Sequence, residues 1–71
     1  MENKNIIKLK EIRKAKGISQ VILARALNVN DVTVCRWETG KTEPSINNII
    51  RICALLNISA DELLGIKAFN A

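Results

Sequence analysis

Histidine and tyrosine are absent from the 71 residues, and proline, tryptophan and phenylalanine occur once each. Without histidine there is no imidazole base and no imidazole ligand, which removes the commonest hydrolytic and metal-centred designs. The two cysteines, Cys35 and Cys53, stand far apart and outside any metal-ligand spacing. They are expected to be reduced thiols rather than a disulfide. There is no glycine-rich phosphate loop and no nucleophile–base pair, so an enzyme is not expected. No apolar run approaches the roughly 18 residues of a membrane span. The opening MENKNIIKLK lacks the long apolar stretch and small-residue cleavage site of a signal peptide. A cytoplasmic protein with no metal, cofactor or small-molecule ligand is the expectation.

What is present is a globular composition, 48% hydrophobic and 25% charged, in a chain long enough for one domain and too short for two. The formal charge of +4 is unevenly spread. Residues 1–41 hold nine basic groups (Lys4, Lys8, Lys10, Arg13, Lys14, Lys16, Arg25, Arg36, Lys41) against Glu2, Glu11, Asp31 and Glu38, a balance of +5. Residues 42–71 hold Arg51 and Lys67 against Glu43, Asp61 and Glu62, a balance of −1. A basic half on a small domain suits a polyanionic partner, although lysine-rich helices also serve solubility alone.

Strand-like alternation and repeats are missing, and five helical segments are predicted. The first runs from Asn5 to Lys16 with Gly17 beyond it, and puts Ile6, Leu9, Ile12 and Arg13 on one face. The second runs from the cap Ser19 to Leu27, with Leu23, Ala24 and Leu27 inward and Asn28 suited to a left-handed turn. The third runs from Asn30 to Glu38, with Val34 and Trp37 inward and Gly40 ending it. The fourth follows Pro44 and the cap Ser45, with Ile46, Ile49, Ile50, Cys53 and Leu56 expected to form the inner stripe, widened by Ile52 and Leu55. The fifth opens on Ser59-Ala60-Asp61-Glu62, a capping-box pattern. Residues 1–64 form the domain and 65–71 a short tail.

The spacing from Gln20 to Glu38 describes two helices meeting steeply through a very short turn, with Ala24 small where the second helix crosses it. Leu23, Leu27, Val29, Val34 and Trp37 line the seam, which turns the other face of the later helix outward. Arg13 on an apolar face needs a carboxylate partner, because an unpaired buried charge is costly.

The run GISQVILARALNVNDVTVCRWETGKTEPSINNIIRICALLNISADELL resembles the lambda/434 repressor and Cro-type helix-turn-helix family, over roughly residues 6–64. The G-I-S-Q opening, the R-W-E-x-G-K-x-x-P-S block and the S-x-D-E-L-L ending carry the likeness. It implies an all-α, five-helix bundle containing a helix-turn-helix at about 19–38, with a recognition helix at about 30–38. It implies double-stranded operator DNA as partner and a prokaryotic or phage transcriptional regulator, most simply a repressor. By the same resemblance Asn30, Asp31, Val32 and Arg36 face base edges, and a guanidinium at position 36 suits guanine O6 and N7. Ser19, Gln20, Thr33, Thr39, Lys41 and Thr42 fall at backbone-contacting positions, with Gln20 also bracing the recognition helix. Arg13 and Glu38 match a structural ion pair.

Four positions depart from the family pattern. Val21 and Ile22 replace polar residues, Asp31 stands where a polar or basic residue is common, and Cys35 replaces a small polar residue on the helix flank. Val21 and Ile22 keep open a different reading, an antitoxin-like or accessory module whose main partner is a protein. A cationic membrane binder is not expected, because the first helix keeps its apolar stripe for the core. Ile52, Leu55, Ile58, Leu64, Ile66 and Phe69 exceed what one small core holds. They are expected to form a homodimer interface, which would pair two recognition helices on an inverted-repeat operator.

Overall fold

The computed structural model describes residues 7–67. Over these the chain forms five helices and no strand: α1 (Leu9–Ala15), α2 (Gln20–Leu27), α3 (Asp31–Thr39), α4 (Ile46–Leu56) and α5 (Ala60–Leu63).

Four of the five helix starts are set by a side-chain cap that satisfies an orphan backbone N–H. Ser19 Oγ accepts from Ile22 N at 3.1 Å, Asn30 Oδ1 from Val32 N at 3.0 Å, and Ser45 Oγ from Asn48 N at 3.1 Å. At α5 the box is reciprocal. Ser59 Oγ accepts from Glu62 N at 3.1 Å, and Glu62 Oε1 accepts from Ser59 N at 2.9 Å. A four-residue helix would be marginal alone, so the box and the burial of Leu63 hold it. Asn28 (φ 60°) and Asn57 (φ 56°) end α2 and α4 in the left-handed region, where asparagine is tolerated better than most residues.

The first helix begins later than expected. Lys8 makes no side-chain cap, and its backbone N–H donates to Leu63 O at 2.7 Å. That long-range bond holds the approach to α1 against α5 and keeps Ile7 buried ahead of the first turn. Asn5 and Ile6 lie outside the described residues.

The core is built from Ile7, Leu9 and Ile12 with α1, Leu23, Ala24 and Leu27 of α2, Val34 and Trp37 of α3, Ile52 and Leu56 of α4, and Leu63 of α5. Ile18, Val29, Ile49, Cys53, Ile58 and Leu64 pack around it, half-buried. The inner stripe of α4 is therefore Ile49, Ile52, Cys53 and Leu56, a correction of the expected one. Ile46 and Ile50 are 75% and 60% exposed. At 100° per residue Ile50 lies about 120° round the helix from the core-facing side, and Ile46 is the first helical residue, beyond the reach of the core.

A second correction concerns the expected dimer contacts. Ile52 is 0% exposed within a single protomer, so it has no surface left to offer a second copy. Ile58 and Leu64 are half-buried against the same core, whereas Leu55 and Ile66 are exposed. Phe69 lies outside the described residues. No helix among these residues is long and apolar enough to cross a membrane.

Candidate nucleic-acid interface

The helices α2 and α3 are joined by Asn28, Val29 and Asn30. Asn28 turns the chain left-handed, Val29 N donates to Ala24 O at 2.9 Å, and Asn30 is extended at φ −74°, ψ 144°. Ala24 is fully packed at the crossing, so a larger side chain there would push the two helices apart. The turn is short and hydrogen-bonded, which fixes the direction of α3 once α2 is placed.

The inner edge of α3 is held by a polar cluster. Glu38, at its last turn, is buried and takes a two-pronged contact from Arg13: Nε to Oε2 at 2.7 Å and Nη2 to Oε1 at 3.0 Å. The third arm of the fork, Arg13 Nη1, donates to Ile18 O at 2.8 Å. Gln20 Nε2 donates to Glu38 Oε1 at 2.8 Å. One carboxylate thus binds α1, the start of α2 and the end of α3 together. Its hydrogen bond to Arg13, with its charge as a smaller contribution, holds the guanidinium above its ordinary pKa against the opposing effect of burial. The planar fork suits this double contact, which lysine could not reproduce.

The opposite side of α3 is open. Val32, Cys35, Arg36 and Thr39 are all exposed, with Asn30 and Asp31 at the N-terminal end. At 100° per residue Asp31, Val32, Cys35, Arg36 and Thr39 share a sector of about 140° facing away from Val34, Trp37 and Glu38, while Asn30 is the extended cap residue before the first turn. Thr33 is half-buried at the edge. Cys35 was expected on the flank, yet it lies within the outer sector, three residues from Val32 and four from Asp31. The i, i+3, i+4 spacing was the available signal.

The remaining expected contacts divide in two. Thr39, Lys41 and Thr42 are exposed in and after the last turn of α3. Arg36 O organises that segment, accepting from Lys41 N at 2.9 Å, Thr42 N at 3.4 Å and Thr39 Oγ1 at 3.3 Å. Ser19 is exposed but its hydroxyl is already the α2 cap. Gln20 is half-buried and braces α3 through Glu38, leaving one amide N–H for an outside acceptor.

Among the described residues no cluster of side chains could hold a metal ion. Cys35 and Cys53 are free thiols. Burial, and to a smaller extent the charge of Glu62, push the Cys53 thiol above its ordinary pKa, which suits a packing role.

Two helices locked at a short left-handed turn, the second braced from behind and bare in front, define a helix-turn-helix module. The chain belongs to the Helix-turn-helix family, whose model matches residues 9–63. It is 33% identical over 58 residues to the HTH-type transcriptional activator BcrR of Enterococcus faecalis, covering 82% of this chain and 28% of that protein. The structure of the P22 c2 repressor in complex with synthetic operator 9T superposes with a TM-score of 0.74 at 32% identity, covering 80% of this chain and 86% of that one. The restriction-modification controller protein C.AhdI from Aeromonas hydrophila gives a TM-score of 0.70 at 35% identity, covering 76% and 82%. The chain spans between 24% and 53% of the length of the curated relatives it matches.

Proposed function

We propose that this chain binds double-stranded DNA in a sequence-specific way and acts as a cytoplasmic transcriptional regulator of a bacterium or phage, reading operator DNA through the major groove with α3. The observation that carries the proposal is the two-sided character of α3. Its back is fixed by the Arg13–Glu38–Gln20 cluster, while its front presents Asp31, Val32 and Arg36 with no cover. A rigid, uncovered helix of this kind fits a groove about 12 Å wide. Asn30, Asp31, Val32 and Arg36 are the proposed base-facing residues. Ser19, Gln20, Thr33, Thr39, Lys41 and Thr42 are the proposed backbone contacts, which set register rather than sequence. Repression, by occupying an operator, is the proposed mode; no catalytic step is part of it.

One recognition helix reads only a few base pairs, so a two-fold dimer on an inverted repeat belongs to the proposal, with half-sites about 10 base pairs apart. The exposed Leu55 and Ile66, with the half-buried Ile58 and Leu64, are the residues proposed for it; Phe69, proposed with them from the sequence, lies outside the described residues. A different reading, a module whose main partner is a protein, draws support from Val21 and Ile22, exposed by 45% and 58% on α2.

Selection of binding sites from a random duplex pool, followed by a salt titration on the winning site, tests the proposal. An enriched inverted repeat is expected. Log K should fall with log salt at a slope of about −0.9 for each phosphate contacted. No enriched sequence, or a flat salt response, sinks the DNA reading and leaves the protein-partner reading standing.

A further inference from the structure

Asp31 is the unusual member of the outer face of α3, an anion at the end of a helix that the proposed function turns towards a polyanion. Its local bonding accounts for only part of it. Val32 N is a single donor, and two oxygens converge on it: Asn30 Oδ1 at 3.0 Å and Asp31 Oδ1 at 3.0 Å. Asn30 alone is a sufficient cap. The second carboxylate oxygen of Asp31 has no partner among the described residues, and no salt bridge joins Asp31 to Arg36. The guanidinium of Arg36 is equally unengaged there, five residues further along the same exposed face. The reading surface therefore displays a group that only accepts at one point and a group that only donates at another.

Resting on the DNA-binding reading above, we infer that Asp31 selects cytosine at one position of each half-site and acts chiefly by rejecting the other bases. In the major groove guanine shows two acceptors and thymine shows O4 and a methyl group, so a carboxylate is repelled or unpaired at both. Adenine N6 is a donor, but it lies between two acceptors, adenine N7 and thymine O4. Cytosine N4 is a donor flanked on one side by guanine O6 and on the other by C5–H. It is the one major-groove donor a carboxylate approaches with a single unfavourable neighbour. Arg36 makes the complementary demand, for guanine O6 and N7, elsewhere in the half-site. The same charge on Asp31 repels every phosphate, so it lowers affinity for DNA of the wrong sequence while one base edge compensates it at the right one.

The test is site selection from a random duplex pool with the wild-type chain, Asp31→Asn, Asp31→Ala and Arg36→Ala. The wild type should enrich cytosine at one half-site position, favoured about fivefold or more over each other base. Asp31→Asn keeps the shape and an acceptor but gains an N–H donor, which pairs with adenine N6 and N7. That column should change from cytosine to adenine while the guanine column persists. Asp31→Ala should lose the cytosine column and gain no replacement. Both variants should bind random duplex several-fold tighter at low salt, since a charge facing phosphate is gone. Arg36→Ala should lose the guanine column only. Matched urea midpoints for all four chains establish that the exposed substitutions leave the fold intact. A cytosine column that survives both Asp31 variants overturns the inference with DNA reading intact. A wild-type chain that enriches no sequence overturns the DNA reading itself, and the two failures are distinct because in the second there is no column to change.

Discussion

The front of the molecule, α1 to α3, and its back, α4 and α5, solve the same packing problem by opposite means. In front, the elements are tied by a buried ion pair, Arg13 and Glu38, to which the half-buried amide of Gln20 is bonded, in addition to their share of the apolar core. At the back, α4 contributes the aliphatic Ile52 and Leu56 to the core, and α5 is held by Leu63 and a capping box at the surface. The surfaces differ in the reverse sense. The front is rich in lysine and arginine, with Val21, Ile22 and Val32 exposed among them, while the back carries few basic residues and leaves Ile46, Ile50, Leu55 and Ile66 exposed. The comparison teaches that polarity has been moved inside where direction matters. A hydrophobic seam tolerates small slides and rotations, whereas a forked guanidinium–carboxylate contact accepts one geometry.

The largest expected effect breaks the front. Glu38→Ala leaves the Arg13 guanidinium buried without its partner and should destabilise the fold by about 3–5 kcal/mol. The double replacement Arg13→Met with Glu38→Leu should recover much of that loss, read as urea midpoints. Additive losses would show that the two residues are independent. The recovered double variant should still lose affinity for the selected DNA site, because apolar packing no longer fixes the orientation of α3.

At the back the matching break is Ile52→Ala, expected to cost about 2–5 kcal/mol in the monomer at any protein concentration. Leu55→Asp sharpens the contrast. It should leave the urea midpoint of the monomer nearly unchanged while shifting sedimentation at micromolar concentration from dimer to monomer. A wild-type protein that is monomeric both free and on its selected site removes the dimer from the proposed function.

Next in size is Arg36→Ala, which should weaken binding to the preferred site by about 1–3 kcal/mol and affect random duplex much less. Equal losses on the two DNAs would make Arg36 a backbone contact.

The smallest effect concerns acid. The backbone N–H of Ser59 is the main reason the Glu62 carboxyl lies below its ordinary pKa, helped by the Ser59 hydroxyl, Lys67 and Lys16 against slight desolvation. A folded pKa below the unfolded one adds stability that is complete above the unfolded value of about 4.3. It is lost as pH falls through the lower folded value. The melting temperature should therefore decline on acidification below about pH 4.3, and Glu62→Gln should make that decline shallower.

Much of this was legible in the chain because the local signals are chemical. Ser19, Asn30, Ser45 and Ser59 each cap a helix as expected, since a short side chain bearing an oxygen satisfies a terminal N–H wherever it occurs. The pairing of Arg13 with Glu38 was implied by family resemblance and by the penalty on a lone buried charge, and the two side chains lie 2.7 Å apart. The register of α4 was not legible. Ile46, Ile49, Ile50, Ile52, Cys53, Leu55 and Leu56 supply apolar residues around most of the helix, so two stripes satisfied the same spacing rule, and only packing against α2 and α5 chooses between them. The start of α1 was hidden for a related reason, since it depends on a bond from Lys8 to Leu63, fifty-five positions along the chain. In the candidate interface the residue types of the outer face were readable. The partner of the Gln20 amide was not, because a bracing contact and an outward-facing one need the same side chain.

The separation of the two sides of α3 also bears on how such a protein can change. Asp31, Val32, Cys35 and Arg36 are exposed, and among the described residues none of their side chains bonds to another helix, whereas Val34, Trp37 and Glu38 carry the attachments. Substitutions at the outer four can therefore accumulate almost free of any stability constraint, each one a small move in preference rather than a threat to folding. The outer face works as an exchangeable head on a fixed mount. Grafting another outer quartet onto this bundle should give a protein that folds at the same midpoint and prefers different DNA.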